Sequence, residues 1–169
     1  IAFSENGIDF TASTEILGKF YFRVWQWKDK WYALAKNNNE GWGELYQSDD
    51  GLTAFKSKGN FLKDARHTAV MIKGDYLLIF YSRVGDAPER ILMSSVDMSL
   101  NCRAWAPSIP IEVIEPGMDY EGIKYLTTVS EHGSTVAVRE LRDPCIYTEN
   151  GSYWLFYTIA GEEGIAGIE

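Results

Sequence analysis

A repeat of about 43 residues constrains this chain more than any other feature. Three strand pairs share one pattern: "KFYFRVWQW" with "KWYALAK" around Lys28-Asp29, "HTAVMIK" with "YLLIFYS" around Gly74-Asp75, and "PCIYT" with "YWLFYT" around Glu149-Asn150-Gly151. Each joins β-branched and aromatic arms through turn residues, which predicts a hairpin. Arg23, Arg66 and Arg142 mark the first arms; Trp31-Tyr32, Tyr76 and Tyr153 open the second. Arg23 and Arg66 lie 43 residues apart, and Arg66 and Arg142 lie 76 apart, one period plus an insertion. A second marker keeps the same step: "SENGIDF" (Ser4 to Phe10) recurs 44 residues later as "SDDGLTAF" (Ser48 to Phe55). Two unrelated markers with one period identify a structural repeat.

Four short strands in such a period describe a propeller blade. The expected fold is therefore all-β, a β-propeller of four-stranded antiparallel blades with about three blades in this chain. Strands are expected near 20–27, 31–36, 42–48 and 53–58, near 66–72, 76–82, 89–96 and 103–114, and near 143–148, 153–158 and 164–169. This divides the chain into a blade at 18–58, a blade at 62–115, an insertion at 116–139 and a blade at 140–169, which strand 1–10 is available to complete. Three blades do not close a ring, because propellers need roughly four to eight. The chain is then either part of a five-bladed propeller or half of a six-bladed homodimer. The opening Ile, in place of Met, inclines the reading to the first.

The formal charge of -8 comes without a Lys/Arg cluster, which argues against a nucleic-acid partner and suits a neutral ligand such as a sugar. No apolar run approaches ~18 residues, so no membrane span is expected. Cys102 and Cys145 are the two cysteines, which allow one disulfide by count alone. With two histidines and no Cys-x-x-Cys, no metal site is expected. No Gly-rich phosphate loop stands between a strand and a helix, so no cofactor is expected either.

First strands of a propeller line its central channel. The repeat therefore directs Arg23, the pair Arg66-His67 and the pair Arg142-Asp143 toward one axis. An Asp heading an apolar strand is costly unless it is paired or faces water. Here the chain resembles a known family. Arg142-Asp143-Pro144, followed by an apolar strand, an Asx-Gly turn and "YWLFYT", is similar to the five-bladed glycoside hydrolases of the arabinanase/xylosidase and invertase/levansucrase groups. The resemblance implies a carboxylate at Asp143 that binds sugar hydroxyls, stabilises the transition state or tunes a neighbouring acid. It also implies a general acid, for which Glu121 in "DYEGIKY" matches by its Glu-Gly after an aromatic. Hydrolysis needs such a donor with its pKa raised by burial or by a second carboxylate.

The expected substrate is a furanoside or pyranoside, with Asp143 and Glu121 as catalytic residues. Arg142, His67, Arg66, Arg23, Trp42 and Glu89 are expected to bind it. Trp42, between Gly41 and Gly43, is the platform candidate, whereas Trp25, Trp27, Trp31 and Trp154 read as interblade core. The third carboxylate of the families stands in an Asn-Asp-Pro motif that this chain lacks; Val24 and His67 occupy the equivalent strand starts. Glu89, Glu162 and Glu163 lie in loops that approach the channel mouth. Without a third acid the alternative is a non-catalytic carbohydrate-binding or structural propeller.

Overall fold

The computed structural model describes residues 1–37, 41–130, 133–134 and 136–169. Two residues pair first, Ala2–Phe3 (β1) with Thr11–Ala12 (β2), in a small separate hairpin. Three larger antiparallel sheets follow, each wound in chain order. The first contains Phe20–Trp27 (β3), Lys30–Asn37 (β4), Trp42–Ser48 (β5) and Lys56–Lys63 (β6). The second contains Ala65–Lys73 (β7), Tyr76–Arg83 (β8), Ile91–Asp97 (β9) and Ile111–Ile114 (β10). The third contains Arg142–Glu149 (β11), Ser152–Ile159 (β12) and Gly164–Ile168 (β13). The chain is thus an all-β array of blades, as the period requires. Among the described residues no helix is long and apolar enough to cross a membrane.

Strand alternation explains how the blades stack. On β8, Leu77, Ile79 and Tyr81 face the first sheet, in a core with Trp25, Tyr32, Leu34, Leu45 and Leu62. Phe80, one residue out of phase, joins Ala69, Ile91, Leu141, Leu155 and Tyr157 in the core against the third sheet. The middle blade is therefore buried on both faces. Trp25 stacks on Tyr32 at 5.8 Å between centroids, and the Trp27 indole donates to the Met98 carbonyl at 3.0 Å. These tryptophans are interblade core, as expected. The other face of the third sheet carries Tyr147, Phe156 and Ile165, all exposed.

The Ser-x-Asx-Gly marker is a real structural unit. The Ser4 hydroxyl accepts from the Gly7 amide at 2.8 Å, and the Asn6 side-chain oxygen accepts from Ile8 and Asp9. The Ser48 hydroxyl accepts from Gly51 at 3.1 Å, and Asp50 accepts from Leu52 and Thr53. Gly7 and Gly51 share a φ of 74°, the left-handed region that only glycine enters freely. This loop occupies residues 49–55, so β6 starts at Lys56, later than expected. Residues 103–114 are likewise no continuous strand: a 3-10 turn at Cys102–Ala104 precedes β10. Phe55 packs edge-on against Phe22 at 5.0 Å, whereas its counterpart Phe10 is exposed. Residues 1–10 pair within their own hairpin rather than with β13. Both cysteines are free thiols.

Candidate functional site

β7 packs between β3 and β11, so the three first strands run side by side. Each breaks its ladder near its start: between Phe20 and Arg23, between Ala65 and Thr68, and between Arg142 and Cys145. A bulge bends the strand and redirects the side chains inside it. The bulged residues are Tyr21-Phe22, Arg66-His67 and Asp143-Pro144. Tyr21 and Asp143 both adopt positive φ, 56° and 50°.

These bulges build the candidate site. His67 Nδ1 contacts Asp143 Oδ1, joining β7 to β11. The Tyr21 ring meets the His67 ring edge-on at 4.1 Å, adding β3. Thr158, across the ladder from Arg142, donates its hydroxyl to Asp143 Oδ2 at 3.4 Å. The Asp143 side chain is 34% exposed and that of His67 11% exposed, so the pair opens to water on its carboxylate side. Burial pushes the Asp143 carboxyl up, but His67, by contact and charge, then Thr158 and Arg142 outweigh it. The carboxyl is held below its ordinary range and is ionised at neutral pH. The Lys36 ammonium lies 5.9 Å from the Phe20 ring; burial, then Arg66, lowers its pKa, opposed by Glu89.

Beneath the pair lies a buried charge cluster. Glu89, fully buried, divides its oxygens between two arginines: Oε1 lies 3.0 Å from Arg66 Nε and Oε2 lies 2.8 Å from Arg142 Nε. Both contacts are ion pairs without hydrogen-bond alignment. The Ser130 hydroxyl donates to Glu89 Oε2 and accepts from Arg66 Nη2 at 2.9 Å. Arg142 Nη2 also meets Glu140, and Nη1 reaches the half-exposed Glu162 at 3.2 Å. Two buried arginines face two buried glutamates, so the cluster is close to neutral. Burial pushes the Glu140 carboxyl above its ordinary range despite Arg142.

The sequence-predicted residues therefore separate into groups. His67 and Asp143 meet. Arg66, Arg142 and Glu89 are buried by 95% or more. Arg23 is not the third member of the ring: its Nε donates to the Thr68 carbonyl at 2.8 Å. The bulges cause this, because relative to the ladder breaks Arg23 follows its bulge, Arg66 lies within one and Arg142 precedes one. Glu121 is buried; its Oε2 accepts the Gly117 and Met118 amides at 2.8 and 2.9 Å, and its Oε1 accepts the Tyr157 hydroxyl at 2.9 Å. Its partners do not include Asp143. Trp42 lines a shallow cleft of about 230 Å³ with Phe61, Tyr81, Arg83, Pro107 and Pro110. Sequence reasoning missed Tyr21, Ser130, Glu140 and Thr158. Glu140 carried one signal, its position two residues before Arg142 and thus on the same side of an extended chain.

Among the described residues, no group of three or more His, Cys, Asp or Glu side chains is placed to hold a metal ion. No family model matches the chain. It is 32% identical over 186 residues to an uncharacterized protein of Acanthamoeba polyphaga mimivirus, an alignment covering 99% of this chain and 51% of that protein. The chain thus spans about half the length of this curated relative. Among solved structures, it is similar to an exo-1,5-α-L-arabinanase from a bovine ruminal metagenomic library. That match has a TM-score of 0.57 at 11% identity and covers 94% of this chain and 57% of that one. It is also similar to an exo-β-1,3-galactanase from Clostridium thermocellum, with a TM-score of 0.51 at 12% identity, over 98% of this chain and 38% of that one. At these identities the likeness concerns the fold, a glycoside hydrolase-like propeller.

Proposed function

We propose that the chain carries the saccharide site of a glycoside hydrolase-like propeller, acting on a furanoside or pyranoside at the mouth formed by β3, β7 and β11. One observation supports this above the others: an ionised, partly exposed Asp143 is held by His67 where three first strands converge. A fixed anion there can accept sugar hydroxyls and stabilise positive charge developing on an anomeric carbon. Tyr21, 45% exposed beside the pair, offers a ring face to a sugar, and Trp42 offers a second platform farther out. The solved neighbours act, by their descriptions, on arabinan and galactan linkages, so arabino- and galacto-oligosaccharides are the first ligands to test.

A second reading, saccharide binding without turnover, has its own support. Glu121 is occupied by three donors, and Glu89 and Glu140 are buried in ion pairs. None of the three presents a free carboxyl to a leaving group.

Calorimetry with the two oligosaccharide series, run beside a reducing-end assay, separates the readings. Turnover abolished by Asp143→Asn supports hydrolysis, and binding with no product supports the second reading. Asp143→Asn that leaves both affinity and turnover intact on every saccharide accepted removes the assignment of this site.

A further inference from the structure

Both members of the His67–Asp143 pair sit in backbone that no ladder fixes. His67 lies in the break between Ala65 and Thr68, and Asp143 in the break between Arg142 and Cys145, with φ at 50°. A non-glycine residue holds such a conformation only when its surroundings impose it. In each case the preceding residue is a buried arginine, and both arginines end on one carboxylate, that of Glu89. The Glu89 main chain acts on the same place, since its carbonyl accepts the Leu141 amide at 3.0 Å. Ser130 closes the arrangement between Glu89 and Arg66, and its own backbone is tied to the loop before Glu89 through the Gly85 amide and the Asp86 carbonyl.

We propose that Glu89 is the positioning residue of the candidate site: by clamping Arg66 and Arg142 it sets the separation of His67 and Asp143, without touching a ligand itself. The inference does not rest on the saccharide reading. It concerns how two bulges on neighbouring blades are held in register, whatever binds above them.

The sign of one measurable quantity distinguishes this role from plain charge effects. Deleting the Glu89 charge acts through space by removing a negative neighbour, which lowers the Asp143 pKa. Releasing the clamp separates Asp143 from His67, its strongest stabilising partner, which raises it. The experiment is a carbon-13 titration of aspartate carboxyls in the chain, with the Asp143 resonance assigned by its loss in Asp143→Asn and the full effect of separation calibrated by His67→Gln. Glu89→Gln is expected to move the Asp143 midpoint upward by more than half the displacement caused by His67→Gln. Arg66→Lys, which conserves charge but not the fork, is expected to move it the same way and serves alone if Glu89→Gln does not fold. An unchanged or lowered midpoint in whichever variant folds overturns the proposal, even if that variant is less stable. A raised midpoint in a chain that binds no saccharide upholds the clamp and removes only the saccharide function.

Discussion

Arg142 is the most heavily paired side chain in the cluster, and its replacement tests how much the buried charges depend on one another. It is 2% exposed and contacts Glu89 at 2.8 Å, Glu162 at 3.2 Å, Ser130 at 3.4 Å and Glu140. Arg142→Met keeps the stem and removes the charge. Glu89 then retains Arg66, but Glu140 loses the one cation it contacts among the described residues. An uncompensated buried charge of this kind costs about 3–5 kcal/mol. Against a total of roughly 5–15 kcal/mol for a domain, that leaves a small margin and lowers Tm by about 10 °C. The deficit depends on pH with a definite sign. The Glu140 carboxyl is already above its ordinary range, because burial outweighs Arg142. A carboxyl raised on folding favours the folded state below its unfolded pKa, and that contribution is lost as pH rises through the folded value. Without Arg142 the folded value climbs further. The deficit of Arg142→Met is therefore largest near neutral pH and shrinks toward about pH 5, as Glu140 takes up a proton. Urea unfolding followed by tryptophan fluorescence at the two pH values measures it. A loss below about 1 kcal/mol at neutral pH, the range of exposed pairs, refutes the buried-cluster reasoning. So does a deficit that ignores pH.

Three further outcomes are expected. Tyr157→Phe removes the donor to Glu121 Oε1 inside a fully buried contact and should cost about 1–3 kcal/mol by thermal unfolding; a loss of a few tenths would mean that Glu121 is not held as described. Asp143 has a depressed folded pKa, so its stabilisation is present above the unfolded value of about 4 and disappears as pH falls through the folded one. Stability curves of the natural chain and Asp143→Asn should accordingly converge below about pH 4, and parallel curves would contradict the His67 pairing. Gly51→Ala and Gly7→Ala form a matched pair, with the same φ of 74° but different surroundings: a Cβ at Gly51 would lie 2.4 Å from the Trp31 ring, whereas nothing lies within 4 Å of one at Gly7. Backbone strain alone gives about 1 kcal/mol at Gly7, and strain plus overpacking about 2–4 kcal/mol at Gly51, so equal losses would refute the packing of the loop on Trp31.

What the sequence discloses and what it hides have one physical origin. Periodicity reports where a strand lies along the repeat, because core residues must recur wherever blades pack. The Ser-x-Asx-Gly loop was legible for a stricter reason: its hydroxyl, its Asx oxygen and its left-handed glycine are each required by a particular backbone amide or φ, so the motif and the geometry are the same statement. The direction of a side chain is another matter, since one extra residue in a strand reverses it. Each first strand has such a residue near its start, and no composition marks it. Counting from the repeat aligned Arg23, Arg66 and Arg142, but the bulges brought together Tyr21, His67 and Asp143 and sent two of the arginines into the core. The surroundings of Glu121 were hidden differently. Its partners include two amides from its own loop, and main-chain amides are the one class of donor that every sequence contains and none announces. The bulges that hid the candidate site are also what makes it: a regular ladder would pair Asp143 and His67 into the sheet, whereas a broken one frees both to meet and, on the proposal above, leaves their separation to Glu89.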